Sequence, residues 1–527
     1  MALQAPRRPI VAADPKADGP EALIREARRR TRRRRARRSA AVAVLVGVAA
    51  AVSAIVCGGS GGVITETGSR PYVNLRAMRG RGELAFISRD RAWVLDGGRG
   101  TLRRLRVPVG YSPSSPVFSH DGRWLAYLVT RNGRPDGPSE LWIAHGDGTG
   151  AHRARGVTVN QFVGWSPTAD LVAVGTGEST HVPVGSPTTL TVVSPSGPLT
   201  VVFPRSARPT GLMGGAIWSA AWSPDGRSLA VSTDGHGGTQ ILDAPVSRDA
   251  RPTVWLSIRD SQRLTGALSC GSHCVADEAI AELAGWWPKW GIAFWVFTSG
   301  AIHNLDSTPL AALPKPGGRP RLVARTLSDG VTDAASAGPG GELAVVASST
   351  SAGRDYATGK TVERCSPDAF TCAALPGASS WTGPALPCKP CFDAPATGPG
   401  SAVSLDPAWS PDGTRLAFVK APAYRAGAEP SLAWFGAHQL EIWNSQTNTT
   451  RRVGAISGSS LPIWSRNGKD LLYVSGDALW LTDAATGKAV EIEHPLYRQS
   501  TWKNVATRRL AFYGQIPWSK QFSWHTP

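Results

Sequence analysis

One short phrase recurs along this chain, and it limits the folds that the chain can adopt. It reads PAWSPDGTRLAFVK from Pro407 and AAWSPDGRSLAVST from Ala220. Related copies begin at Pro116, Val163, Ala284, Ser336 and Pro462, and two weaker ones begin at Arg79 and Ser500. Recurrence of one unit at intervals of tens of residues indicates a repeat architecture.

Each copy places the same local signals in the same order. An aromatic residue comes first, a Ser-Pro-Asp-Gly turn follows, and an apolar run such as LAFVK or LAVST comes next. Asp-Gly favours a turn because Gly accepts positive φ and Asp bonds to nearby backbone. The apolar run has the composition of a β-strand. Later segments such as ELWIAHGDG and AVEIE predict further strands, and residues 274–285 are the one stretch outside 40–57 that suggests a helix.

Short antiparallel strands repeated in this way predict an all-β fold, a β-propeller of four-stranded antiparallel blades. A single unit cannot bury both faces of its sheet, so neighbouring blades must pack on one another. We expect seven or eight blades within residues 77–513, with eight if the Cys-rich unit is a true blade. The last copy, around 502–513, is expected to supply a strand that completes the first blade and closes the ring.

The motif side chains are predicted to be structural. The aromatic residue of each copy should pack between blades, with ligand contact as the alternative, and the Asp should form the turn. These residues are Phe118, Trp165, Trp222, Trp286, Trp409, Trp464 and Trp502, with Asp121, Asp225 and Asp412 in the turns.

The phrase WSPDG, followed by Arg or Thr and then by LAFV or LAVS, resembles the repeat of TolB-like β-propellers. It is also similar to the propeller of prolyl-oligopeptidase-type peptidases. The resemblance covers most of 79–513 as architecture and implies the blade type, together with the envelope scaffolding and periplasmic protein contacts of the TolB-like family. The N-terminal α/β domain that TolB carries is not seen here, and the repeats leave no room for a hydrolase domain.

The N-terminus combines a basic block with an apolar run. REARRRTRRRRARRSA precedes residues 40–57, which are uncharged and near the lower length limit for a membrane span. A basic flank of this kind stays cytoplasmic. We therefore expect a cytoplasmic segment at 1–39, a transmembrane signal anchor at 40–57, a flexible linker at 58–76, an extracytoplasmic propeller, and a tail at 514–527. A cleaved signal peptide and a lipoprotein at Cys57 are the alternatives.

Half of the formal charge belongs to this short segment. The whole chain carries +18, and residues 1–40 hold 13 Lys or Arg against 4 Asp or Glu. The remaining excess is spread thinly over the chain. No aromatic residues are interleaved with the arginines for base stacking, so a nucleic-acid partner is not predicted.

Six cysteines follow the predicted anchor, and an even number on the exported side predicts disulfides. Fifteen pairings stay open on sequence alone. A redox role for CKPC lacks a thioredoxin-like context, and zinc binding around His273 has poor ligand spacing. The six are Cys270, Cys274, Cys365, Cys372, Cys388 and Cys391.

No motif predicts a catalytic group, a cofactor or a metal. Propellers bind through loops that vary between blades, so the inserts at 232–283, 349–406 and 421–437 are the predicted contact regions. Trp381, Trp434 and Phe435 are the predicted partner contacts. The leading hypothesis is a non-catalytic scaffold that binds an envelope protein or ligand. The alternative is an enzyme acting on envelope glycan or another small ligand through the central channel.

Overall fold

Antiparallel β-sheet dominates the folded unit, Pro71–Pro527. The computed structural model describes residues 70–132, 137–177, 187–197, 199–204, 216–235, 238–247, 250–268, 279–298, 308–326, 335–348, 360–380, 402–422, 436–496 and 518–526. Within these residues all strands but one fall into eight groups of four, which we call units 1–8, and the remaining strand adds a fifth strand to unit 8.

The first half of the chain forms units 1–4, preceded by a two-residue strand and one helical turn. The elements are β1 (Tyr72–Val73), α1 (Leu75–Met78), β2 (Glu83–Ser88), β3 (Arg91–Asp96), β4 (Thr101–Arg104), β5 (Tyr111–Phe118), β6 (Trp124–Arg131), β7 (Ser139–His145), β8 (His152–Val159), β9 (Gln161–Trp165), β10 (Val172–Thr176), β11 (Thr189–Val193), β12 (Leu199–Phe203), β13 (Ile217–Trp222), β14 (Ser228–Gly235), β15 (Gly238–Pro245) and β16 (Thr253–Leu256). Unit 1 contains β2–β4, unit 2 β5–β8, unit 3 β9–β12 and unit 4 β13–β16.

The second half forms units 5–8 and returns to unit 1. The elements are α2 (Ile258–Leu268), β17 (Ala279–Trp287), β18 (Gly291–Thr298), β19 (Thr308–Leu313), β20 (Arg321–Thr326), β21 (Ala335–Ala337), β22 (Leu343–Ser348), β23 (Lys360–Ser366), β24 (Thr371–Ala374), β25 (Ala402–Trp409), β26 (Arg415–Pro422), β27 (Gln439–Asn444), β28 (Thr449–Ser457), β29 (Ser459–Trp464), β30 (Asp470–Ser475), β31 (Ala478–Asp483), β32 (Ala489–His494), a 3₁₀ turn (Trp518–Lys520) and β33 (Phe522–His525). Each unit takes four consecutive strands from β17 to β32. A single residue pair joins the sheets of units 5 and 6.

Apolar side chains join each unit to the next in a closed circuit. Separate buried clusters combine units 1 with 2, 2 with 3, 3 with 4, 4 with 5, 5 with 6, and 7 with 8. A larger cluster continues from unit 6 into unit 7 and places Leu479 and Leu481 of unit 8 with Leu84 and Phe86 of unit 1. This circuit is the packing of a β-propeller, in which each sheet buries both faces against its neighbours.

A C-terminal strand closes the ring, but not at the predicted place. Strand β33 pairs with β2, from Glu83 opposite His525 to Phe86 opposite Phe522. The sequence assigned these residues to a tail after 513, and the segment 502–513, with Trp502, lies outside the described residues. The first copy of the motif is divided between the two ends of the chain. Trp524 stands opposite Leu84, as Trp222 stands opposite Leu229 in unit 4.

The predicted helix at 274–285 is a strand where the structure describes it. Burial alternates along β17, with Ala281 and Leu283 buried and Glu282 partly exposed between them. This period of two fits a strand better than the Ala-rich composition suggested. The helix instead precedes this segment as α2, where the Ser257 hydroxyl oxygen accepts a hydrogen bond of 3.2 Å from Asp260 N. The predicted insert at 232–283 therefore contains β15, β16 and α2.

Candidate functional site

The ring has two different faces. At the face that we call the turn face, each first strand leads into the second, and each third into the fourth, through a short connection. At the opposite loop face, the second strand leads into the third and the fourth into the next unit. All the long connections leave from the loop face: 177–188, 204–216, 257–278, 349–359, 375–401, 423–438 and 495–521.

The motif turns lie at the turn face and bond within themselves. In unit 4 the Ser223 hydroxyl donates to Asp225 Oδ1 at 2.6 Å, and the same oxygen accepts from Arg227 N at 3.1 Å. The Ser223 oxygen also accepts from Ser228 N at 3.0 Å. The same arrangement recurs around Asp121 and Asp412. These Asp side chains are therefore engaged in turns.

Hydrogen bonding lowers the pKa values of the Asp side chains in these turns. Bonds from Ser223 and Arg227 lower the pKa of Asp225. Burial by itself would raise the pKa of Asp121, but hydrogen bonds from Ser119 and Arg123 outweigh it and lower that pKa to about 2. Charged carboxylates are thus the form that the turns hold.

The motif tryptophans join neighbouring units. The indole Nε1 of Trp165 donates to Val117 O at 2.9 Å, and that of Trp222 donates to Gly164 O at 3.0 Å. In each case the acceptor directly precedes the motif aromatic of the unit before. Trp464 Nε1 donates to Ala408 O in the same way, at 2.9 Å. Three further motif aromatics make ring contacts: Phe118 with His525 at 6.0 Å, Trp286 with Trp255 at 5.1 Å and Trp409 with Trp443 at 6.2 Å.

One group of potential metal ligands occurs among the described residues, and the sequence did not reveal it. His120, Asp121 and Asp170 lie together at the turn face. Arg123 pairs with Asp170 at 2.8 Å and also with Asp121. Because a guanidinium neutralises both carboxylates, we assign this group to an ion-pair network between units 2 and 3. Asp170 stands in a copy that has lost the Asp-Gly pair, so no motif marks it.

The loop-face ends of the first strands of units 3, 4 and 5 carry a different chemistry. Gln161 begins β9 and Trp218 is the second residue of β13, and Gln161 Nε2 donates to Trp218 O at 3.1 Å. On β17, the first strand of unit 5, Leu283 N donates to the Ser219 hydroxyl oxygen at 2.7 Å. These bonds place Glu282, the residue before Leu283, alongside Trp218.

Among the residues at these strand ends, Glu282 has a side chain suited to bind a ligand. It is partly exposed, and in the part of the chain that the structure describes it makes no hydrogen bond or ion pair. Burial raises the pKa of its carboxyl. A desolvated carboxyl that still reaches solvent can accept a hydrogen bond, pair with a cation or hold a proton. The sequence does not single out Glu282, because it lies before a degenerate copy of the motif, in the stretch 274–285 that is predicted to be a helix.

Buried charged side chains bond to one another and to backbone groups in the strands that lead to the loop face. Lys420 Nζ and Glu441 Oε1 form an ion pair of 2.7 Å, with side chains 7% and 8% exposed. Asp406 Oδ2 accepts from Leu461 N at 3.0 Å and so ties unit 7 to unit 8. These contacts fix the strand ends from which the long connections leave.

The predicted partner contacts lie outside the described residues, and so do four of the six cysteines that were predicted to form disulfides. This applies to Trp381, Trp434, Phe435, Cys270, Cys274, Cys388 and Cys391, although the strand ends flanking them are at the loop face. Cys365 and Cys372 form a disulfide between β23 and β24, where the two residues are directly opposite.

The predicted anchor at 40–57 also lies outside the described residues. Among the helices that the structure does describe, none is long and apolar enough to cross a bilayer.

No protein-family model and no curated protein matches the chain. A prolyl endopeptidase structure is 14% identical with a TM-score of 0.39, covering 83% of this chain and 59% of that one. An oligogalacturonate lyase in complex with manganese is 13% identical with a TM-score of 0.39, covering 80% of this chain and 100% of that one. TolB from Acinetobacter baumannii is 10% identical with a TM-score of 0.29, covering 78% and 64%.

Similarity at this level assigns no family, activity or ligand. The chain spans 59% of the length of the prolyl endopeptidase that it matches, and its other neighbours include a lyase and a TolB protein. The fold itself rests on the strand pairing and the circuit of apolar clusters. By these features the chain is a propeller-type ring of four-stranded antiparallel sheets.

Proposed function

We propose that this chain is a TolB-like, eight-bladed propeller that binds a protein or another envelope ligand without catalysis. In this proposal residues 40–57 anchor it in the cell membrane and the ring lies on the extracytoplasmic side. The basic block before residue 40 and the apolar run after it support that orientation.

The observation that carries the binding proposal is the difference between the two faces: one has only short turns, and the long connections leave from the other. The turn face consists of short turns whose polar groups bond to one another. The loop face receives every long connection, and its strand ends are held by buried contacts such as the Lys420–Glu441 pair. A rigid scaffold that carries variable loops on one side is the usual design of a recognition surface.

In-cell crosslinking of the tagged full-length chain tests this proposal. A variant with residues 383–399 replaced by a Gly/Ser linker alters the loop face and spares β24 and β25. The matched control changes two exposed residues at the turn face, Gln446→Ala with Thr447→Ala. We expect one dominant envelope protein, lost in the loop variant and kept in the control. Recovery of no protein partner, or equal loss in both variants, contradicts the scaffold proposal.

Glu282 supports a second candidate, an enzyme that acts on envelope glycan through the channel. A carboxyl whose pKa is raised by burial is suited to donate a proton to a leaving group. Glu282→Gln removes that proton and keeps the side-chain shape. Loss of glycan turnover in this variant, with the crosslinked partner unchanged, favours the enzyme. Equal turnover in both proteins excludes this role for Glu282.

A further inference from the structure

A fully buried carboxyl lies on the strand that pairs with β1, the first strand of the folded unit. Glu493 belongs to β32, between Leu479 of β31 and Val73 of β1. Its side chain is 0% exposed, and among the described residues neither carboxyl oxygen has a hydrogen-bond partner. An ionised carboxylate in such a place is costly, whereas a neutral one is tolerated.

The groups around Glu493 do not neutralise it. Burial raises the pKa of its carboxyl well above the ordinary value, and Asp477 and Glu491 add to the rise, while Ser88 and Arg89 oppose it. The Ser88 hydroxyl donates its own hydrogen bond to Pro495 O at 2.5 Å. His494 pairs with Glu491 and stacks on Tyr72 at 4.8 Å between ring centroids. Two acids and one arginine therefore surround a carboxyl that is already desolvated.

The covering segment is held weakly. We call β1 (Tyr72–Val73) the N-terminal latch; α1, which follows it, ends at Met78, whose side chain is 0% exposed in the apolar core. Strand β1 has two residues, and Tyr72 is 48% exposed. Beyond the β1 ladder, Asn74 N donates to Ile492 O at 2.8 Å. Short terminal elements with few contacts open at a lower free-energy cost than central strands.

We propose that Glu493 makes the N-terminal latch a pH-sensitive closure: the neutral carboxyl keeps β1 on β32, and loss of its proton to solvent releases β1 so that water reaches the carboxylate. The latch is where the folded ring meets the preceding linker. Its release frees the two residues of β1, about 7 Å of chain at roughly 3.3 Å per residue.

Hydrogen exchange on the full-length chain from about pH 5 to about pH 9 tests the latch. The readout is the protection factor of a peptide covering the latch, taken against the intrinsic rate at each pH. In the wild type this factor should fall by up to about tenfold for each pH unit above the ordinary pKa of a glutamate, about 4.3, and should level off once the pH passes the raised pKa of the buried carboxyl. In Glu493→Gln it should stay constant, because the amide carries no proton to lose. A peptide from β6 reports global opening and should not change in either protein.

Two further variants keep the proposal falsifiable if Glu493→Gln folds poorly. Ser88→Ala removes a group that lowers the pKa of Glu493, so protection of the latch should continue to fall to a higher pH than in the wild type before it levels off. Glu491→Gln changes a more exposed neighbouring acid and should leave release pH-dependent. A wild-type latch with constant protection overturns the proposal, and so does an identical pH profile in the wild type and Glu493→Gln. Both outcomes are independent of whether the ring binds a partner.

Discussion

Gly82 lies directly against the backbone of the closing strand. A Cβ atom at Gly82 would stand 2.0 Å from the carbonyl oxygen of His525, and the residue has a φ of +85°. Gly82→Ala should therefore displace β33, on which unit 1 depends for its fourth strand. We expect a lower denaturation midpoint and loss of exchange protection in β33.

The chain supplies a matched control for this substitution two residues earlier. Gly80 also has a positive φ, +72°, but a Cβ there would meet nothing within 4 Å. Gly80→Ala should cost only the penalty of the left-handed conformation, about 1–2 kcal/mol. Equal costs at both positions would show that closure does not depend on the approach of His525.

The indole of Trp464 reaches across to unit 7. Its Nε1 donates to Ala408 O at 2.9 Å, and its side chain is buried. Trp464→Phe keeps most of the ring and leaves that carbonyl without its donor, which should cost about 1–3 kcal/mol beyond the lost packing. The free energy of unfolding from denaturant titration measures this.

Trp286 occupies the same motif position in unit 5, where no indole hydrogen bond is found among the described residues. Trp286→Phe loses the same ring volume, so the difference between the two variants isolates the hydrogen bond. If Trp286→Phe proves as costly as Trp464→Phe, packing alone accounts for the tryptophans.

The motif aspartates should make the ring sensitive to acid. Their pKa values are lowered in the folded state, so their stabilisation is present above the unfolded value and is lost as pH falls through the folded one. For Asp121 the loss should occur between about pH 4 and about pH 2. Asp225→Asn should flatten this acid limb of the denaturation midpoint, whereas Asp368→Asn, at an exposed aspartate outside the motif, should not.

Unit 8 indicates that Asn preserves the turn. Asn467 takes the place of Asp there, and its Oδ1 accepts from the Ser465 hydroxyl at 2.8 Å and from Lys469 N at 2.9 Å. Asp225→Asn should therefore fold normally at neutral pH. A large loss of stability at neutral pH would mean that the charge, not the hydrogen bonds, holds the turn.

The sequence predicted those features that are encoded within a few residues. The Ser-Pro-Asp-Gly turn is local, so its recurrence revealed the repeat and the sheet units. The sequence did not predict Trp524 as the motif aromatic of unit 1, because it lies 443 residues from Arg81, whose carbonyl oxygen accepts its indole hydrogen bond. No short stretch of sequence contains both halves of that motif. Glu282 and Glu493 were not predicted for another reason. Burial by neighbouring strands raises the pKa of both carboxyls, and the spacing of residues along the chain does not reveal that burial.

The pair between Lys420 and Glu441 gives the last prediction. Both side chains are at least nine-tenths buried, so Glu441→Gln should leave an uncompensated ammonium and cost about 3–5 kcal/mol. The double substitution Lys420→Met with Glu441→Leu should restore most of that loss, because it removes both desolvation penalties. The more exposed pair Arg153–Glu140, at 3.1 Å with side chains 51% and 19% exposed, is the control, and Glu140→Gln should cost about 1 kcal/mol or less. Denaturant titration of the four proteins measures these differences. If the double variant is less stable than Glu441→Gln, the prediction is wrong. The ion pair would then be stabilising in itself, and the cost of Glu441→Gln would not come from leaving a buried ammonium without its partner.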